Sequence, residues 1–190
     1  MTAGVASLDD LRRAYRATQT IDLCPTHAPS IGTPSAWTPA IGERVLLVCG
    51  CGGASGATTA SVGLATASGR ARVVETCAAT SSGLGYAADA ELGRVERGWL
   101  RGYRESVVVE RRTDSPGSPD RLPSPADSDL PLTVVDSTWD LAELLTSPGW
   151  LGQLARTVSP VVLVARATVP GLRRLGAAIE VVGEARAIAM

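Results

Sequence analysis

Short apolar runs recur along this chain, each too short for a helix and all but the last rich in β-branched valine: Val45–Cys49, Ala71–Glu75, Ser106–Glu110, Leu132–Asp136, Val161–Ala165, and a last one around Ala185–Met190. Between them lie stretches with helical spacing: Ala57–Thr66, Gly83–Leu92, Leu141–Leu145, Gly149–Thr157 and Val169–Val181. Strands alternating with helices predict an α/β domain, a doubly wound and mostly parallel sheet with helices on both faces. No internal repeat is visible. Ligands of such sheets sit beyond the carboxyl ends of the strands. The informative residues are therefore Gly50–Thr59, Glu75–Ser82, Asp136–Asp140 and Ala165–Pro170.

Composition narrows the class. Hydrophobic residues make up 45% of the 190, and with no Phe, four Trp and three Tyr the core must be built from Val, Leu, Ala and Ile. A net charge of −1 gives no general reason to bind nucleic acid or an acidic membrane. No run approaches the about 18–20 apolar residues of a membrane span, and the N-terminus does not read as a secretory signal. Four irregularly spaced cysteines, Cys24, Cys49, Cys51 and Cys77, do not make a disulfide framework, so a reduced, cytoplasmic setting is expected.

Residues 1–20 are expected to form a short helix, about Leu8 to Thr18, opened by a capping box at Ser7-Leu8-Asp9-Asp10. It is read as packed on the domain edge or as a docking helix for a partner. Residues 21–43 read as a Pro-rich linker and 44–190 as the α/β domain. Within that domain, residues 113–131 carry five prolines among Ser, Asp and Gly and are expected to be a disordered, solvated loop without core contacts.

The stretch GCGGASGATTASVGLA (residues 50–65) follows the first strand. Its glycines let backbone N–H groups turn inward, and a helix starting near Ala57 brings its positive end to the same point. That combination cradles phosphate, although a glycine-rich turn can also serve strand–helix packing alone. Thr58 and Thr59 open the helix, where a hydroxyl can meet Mg²⁺ or a phosphate oxygen. Two later strands end on a carboxylate, Glu75 and Asp136. An acid at that place is how a phosphate-loop protein holds Mg²⁺. Asp136 could otherwise cap the next helix, and Glu75 could be an exposed strand end.

The order GGASGATT, VVE followed by SSGLG, TVVD, and PVVLVARATVPGLRRLGAAIEVV resembles the ParA/MinD group of P-loop ATPases, whose deviant Walker A loop reads KGGxGKTT. The resemblance runs from about Arg44 to the C-terminus. It implies a P-loop NTPase-like fold, with Gly52, Gly53, Ser55, Gly56, Ala57, Thr58 and Thr59 around the phosphates of ATP. It implies Mg²⁺ held by Thr58 and Asp136, and Glu75 where the family places an acid that helps activate water. It allows a homodimer and implies a protein partner, which the sequence does not name. A complete domain of the group would continue past the last strand, so the adenine side is expected to be pared down or incomplete.

The sequence departs from that pattern at the chemistry. One extra residue separates the Gly52-Gly53 pair from Gly56, and Ala57 takes the slot of the P-loop lysine. The second lysine, which reaches across a dimer interface, would fall at Cys51 or Gly52. The chain contains no lysine at all. Phosphoryl transfer relies on positioning and positive charge, so the expected function is nucleotide binding with impaired or absent hydrolysis: a pseudo-ATPase of regulatory or partitioning type. A Rossmann-type oxidoreductase is the alternative, since Gly50, Gly52 and Gly56 approximate its fingerprint and Glu75 stands near the place of the ribose acid. No acid–base set for hydride transfer accompanies it, and the single histidine, His27, lies in the linker. A non-catalytic interaction module is a third reading.

Three weaker signals complete the reading. Cys24-x-x-His27 with Cys49-x-Cys51 could compose a zinc site but reads better as small buried or loop cysteines. Cys51 alone stands at a helix N-terminus, where a thiol pKa can fall. Trp99–Arg104 interleaves aromatics and arginines, either to contact nucleic acid or as an amphipathic turn whose arginines reach solvent. Arg173-Arg174 reads as a solvated helix face.

Overall fold

Valine-rich segments pair as the alternation requires. The structure, a computed structural model, describes residues 36–77, 81–184 and 186–190, all within one compact unit, Thr33–Met190. The expected N-terminal helix, the linker as far as residue 35, Cys24 and His27 lie outside the described residues. In chain order the elements are β1 (Arg44–Gly50), α1 (Ala57–Ser68), β2 (Ala71–Glu75), β3 (Ala90–Arg94), β4 (Trp99–Arg104), β5 (Val107–Arg112), β6 (Leu132–Ser137), α2 (Leu141–Thr146), α3 (Trp150–Thr157), β7 (Val161–Val164), α4 (Val169–Val182) and β8 (Ala187–Ala189).

The eight strands form one sheet in the order β3-β4-β5-β2-β6-β1-β7-β8. The run from β5 to β8 is parallel, while β3 and β4 are antiparallel additions at one edge. Side chains alternate along each buried strand. Leu47, Val74, Val135, Val161 and Leu163 join one core with α2, α3 and α4. Val48, Val73, Val134, Val162 and Val164 join a second core with α1 on the opposite face. Two cores on the two faces of one sheet make the fold doubly wound. The order also departs from the Rossmann arrangement, in which the first two strands are neighbours: here β6 lies between β1 and β2.

The expected helix Gly83–Leu92 is replaced by a single 3-10 turn, Leu84–Tyr86, and then by β3. Its apolar spacing was misleading, because Leu84 is buried while Tyr86 and Leu92 face solvent. Trp99–Arg104 is likewise a strand, not a turn. Trp99 is fully buried, Arg101 donates through Nε and Nη2 to the buried Glu110 at 2.9 and 2.5 Å while staying partly exposed, and Arg104 is exposed as expected.

Two segments read as low-order are built into the domain. Residues 36–43, read as the end of the linker, are anchored by Trp37, edge-on to Trp150 at 5.4 Å, and by Glu43, paired with the buried Arg72 at 3.0 Å. Residues 113–131, expected to lack core contacts, bury Leu122, Ser124 and Ala126. Every main-chain carbonyl from Leu122 to Ala126 accepts a hydrogen bond from a side chain elsewhere. Trp150 Nε1 donates to Leu122 and Pro123 at 3.0 and 3.1 Å, and Trp99 Nε1 to Ser124 at 3.0 Å. Arg97 donates to Pro125 at 3.0 Å and Arg72 to Ala126 at 2.6 Å. The buried N–H groups of Trp99, Trp150 and Arg72 require acceptors, and the loop supplies them.

Candidate functional site

β1 ends at Gly50 and the chain turns sharply into α1. The backbone N–H of Cys51 donates to the Val164 carbonyl at 2.8 Å, which ties the loop to β7 as it leaves the sheet. Gly56 then takes a left-handed conformation (φ 94°) as the N-cap of α1, and no side chain caps this helix end. An uncapped α-helix leaves its first N–H groups without intrahelical partners and its dipole unopposed.

These groups border a cleft of about 800 Å³, within the range of small-molecule sites. The loop candidates Gly52, Gly53, Ser55, Gly56, Ala57, Thr58 and Thr59 all line it. The segment 137–142 after β6 forms another side. Ala177, Ala178 and Val181 of α4 add an apolar wall. Ala57, in the lysine slot, is buried in the core beneath α1.

Beneath the loop, β2 and β6 carry their carboxylates side by side, since Glu75 and Asp136 are register partners on neighbouring parallel strands. Both are fully buried, yet they are served very differently. Glu75 accepts from the Gly83 and Leu84 backbone N–H groups at 2.7 and 3.1 Å and from the Ser82 hydroxyl. It therefore organises the turn at 82–84 and not the open cleft. That turn bears directly on α1: a Cβ on Gly83 would lie 2.8 Å from Thr58 Cγ2 and 3.1 Å from its Oγ1.

Among the described residues, neither oxygen of Asp136 has a hydrogen-bond partner. The hydroxyls of Thr58 and Ser61 lie near enough to favour its charge but close no full hydrogen bond. Burial first, and the neighbouring Glu75 after it, push the carboxyl up to about 6. An orphaned buried carboxylate is rare and costly. Asp136 is not a helix cap. That role belongs to Asp140, which accepts from Ala142 and Glu143 N–H at 2.9 and 3.3 Å.

The three described cysteines are not activated. Burial raises the Cys51 thiol, the reverse of what its place before a helix suggests, and pushes Cys49 and Cys77 up to about 12. The residue that sequence reasoning assigned to a solvated face is Arg174. It is exposed on α4, but its side chain reaches back into the cleft over Gly52. The double arginine was visible in the sequence, whereas the rotation of α4 against the loop was not.

No protein-family model and no curated protein matches the sequence. Among solved structures, the kinase domain of the Escherichia coli tyrosine kinase ETK matches the chain. The TM-score is 0.51 at 13% identity, over 100% of this chain and 81% of that one. The fold is P-loop NTPase-like. At this identity the likeness carries the fold alone, and the site must be argued from its own residues. Among the described residues, no helix is long and apolar enough to cross a membrane.

Proposed function

We propose that this chain is a ParA/MinD-like phosphate-loop protein that binds a nucleoside triphosphate with Mg²⁺ and hydrolyses it slowly or not at all. In this reading it acts as a regulatory or partitioning-type switch toward a protein partner, with a homodimer as one form the bound state can take. The observation that carries it is the buried, unpartnered carboxylate of Asp136 beside Thr58, below an uncapped helix N-terminus.

The donor set fits Mg²⁺. This cation keeps several waters and takes only one or two protein groups together with phosphate oxygens. Asp136 and the Thr58 hydroxyl would hold it, and no group of three or more metal-ligating side chains among the described residues argues for a tighter, all-protein site. When bound, the ion would supply positive charge to the phosphates and to the buried carboxylate. The backbone N–H groups at the start of α1 would orient the phosphate chain, and Glu75 would hold the 82–84 turn against Thr58. The loop lacks the lysine that normally meets charge growing on the transferred phosphoryl group, and catalysis there is mostly positioning and electrostatics. Binding without ordinary turnover follows.

Calorimetry with ATP, GTP, NAD and NADP, with and without Mg²⁺, tests the reading. A triphosphate that binds better with Mg²⁺, and loses that gain in a folded Asp136→Ala variant, is the expected result. Preference for NAD or NADP, or affinity indifferent to Mg²⁺, would refute it. Hydrolysis at about 1 s⁻¹ or faster, within the range of ordinary enzymes, would refute the impaired turnover.

A further inference from the structure

The loop from Cys51 to Gly56 contains no basic residue, and the chain has no lysine to lend. Positive charge nevertheless reaches the loop. A Cβ on Gly52 would lie 2.6 Å from Arg174 Nη1 and 3.6 Å from its Cδ. The guanidinium thus fills the room that a side chain at position 52 would take, and it lines the same cleft as Thr58.

Arg174 is also uncommitted. Arg72, Arg101, Arg112 and Arg186 all donate to carboxylates or carbonyls. Arg174 makes no hydrogen bond or ion pair with any described residue. The carboxylate that shares its cleft, Asp140, is occupied in capping α2.

We infer that Arg174 is a phosphate-binding residue, which supplies from α4 the cation that the loop lacks. The inference rests on the phosphate-site reading above and names the group that completes it. A guanidinium offers paired N–H donors that match a phosphate in two places and stays charged at any working pH. Its delivery from α4 requires position 52 to carry no side chain. Gly52 therefore has a second use besides its turn, as the opening through which the arginine reaches the loop.

The test uses the full chain with tripolyphosphate, ATP and adenosine as probes, by calorimetry with Mg²⁺ at low and high salt. Arg174→Gln should weaken tripolyphosphate and ATP about tenfold at low salt, because charged hydrogen bonds to phosphate are lost. The deficit should shrink as salt rises, since the group is exposed. Adenosine should be unaffected, Arg174→Lys should keep part of the affinity, and Arg173→Gln should match the parent protein. If the parent protein binds tripolyphosphate and Arg174→Gln binds it as well, the guanidinium is a bystander and the inference fails while the phosphate site stands. If Arg174→Gln binds more tightly, the arginine is a plug, and the inference also fails. If the parent protein binds no triphosphate, the site reading fails and this inference with it.

Discussion

Asp136→Asn isolates the cost of keeping an unpartnered carboxylate in the core. The perturbation keeps shape and removes charge. In the folded protein the carboxyl is pushed from 3.8 up to about 6, chiefly by burial. The folded state therefore holds the proton more tightly than the unfolded chain does. Its contribution to stability is complete below about pH 4, falls as pH rises, and is gone above about pH 6. One pH unit corresponds to about 1.4 kcal/mol, and the unfolded carboxyl is already partly ionised at pH 4, so the wild-type protein should lose about 2.5 kcal/mol at this position between pH 4 and pH 7.5. The asparagine variant cannot titrate there. A buried amide carries its own unmet hydrogen bonds, but that cost does not vary with pH. The quantity to measure is thus the difference in unfolding free energy between the two proteins, by urea titration in a chelator at steps from pH 4 to pH 8. Other carboxylates titrate in both proteins and largely cancel. The variant should gain on the wild type by about 2.5 kcal/mol over the range, or about 5–10 °C in midpoint for a chain of this size. A difference that stays flat with pH would refute the reasoning, because it would mean that Asp136 has a partner or access to water in the folded state.

Gly83→Ala should press a methyl group onto Thr58, 2.8 Å from its Cγ2. It should lower the Mg²⁺-dependent part of triphosphate affinity several-fold while leaving the metal-free part unchanged; equal loss of both would mean that Thr58 does not face the ion. Leu122→Ala should cost about 2–5 kcal/mol, as for a buried leucine in any core, and should open residues 113–131 to proteases that leave them intact in the wild-type protein; a cost below about 0.5 kcal/mol would return that stretch to the solvated loop its composition suggests.

The legible part of the molecule is the part with periodicity. The run Ala71–Glu75 forms a strand with the bounds read from the sequence, and the Leu132–Asp136 run is extended by one residue. Their β-branched residues are buried on both faces, where local propensity and tertiary packing agree. The loop before α1 was legible because glycine spacing reports backbone shape directly. Leu84 to Leu92 misled because spacing alone does not reveal whether a face is covered. Asp136 and Glu75 look equivalent as letters at strand ends, and only the turn at 82–84 separates a satisfied carboxylate from an orphaned one. Arg174 was hidden for a different reason: its place over Gly52 depends on how a helix more than a hundred residues downstream is rotated against the loop.

The five carbonyls from Leu122 to Ala126 have a consequence for how this chain can change over generations. A carbonyl oxygen is supplied by every residue type, so Trp99, Trp150, Arg97 and Arg72 recognise a count of peptide units and not a spelling. Apart from the buried side chains of Leu122, Ser124, Pro125 and Ala126, which must stay small or apolar enough to fit, the bonding itself survives a change of residue type. The stretch is not free to change length. One residue inserted or removed would slide the whole row past its donors and leave the two buried indoles without their acceptors. The segment behaves as a ruler, tolerant of substitution and intolerant of gaps, and relatives of this chain should conserve its length better than its letters.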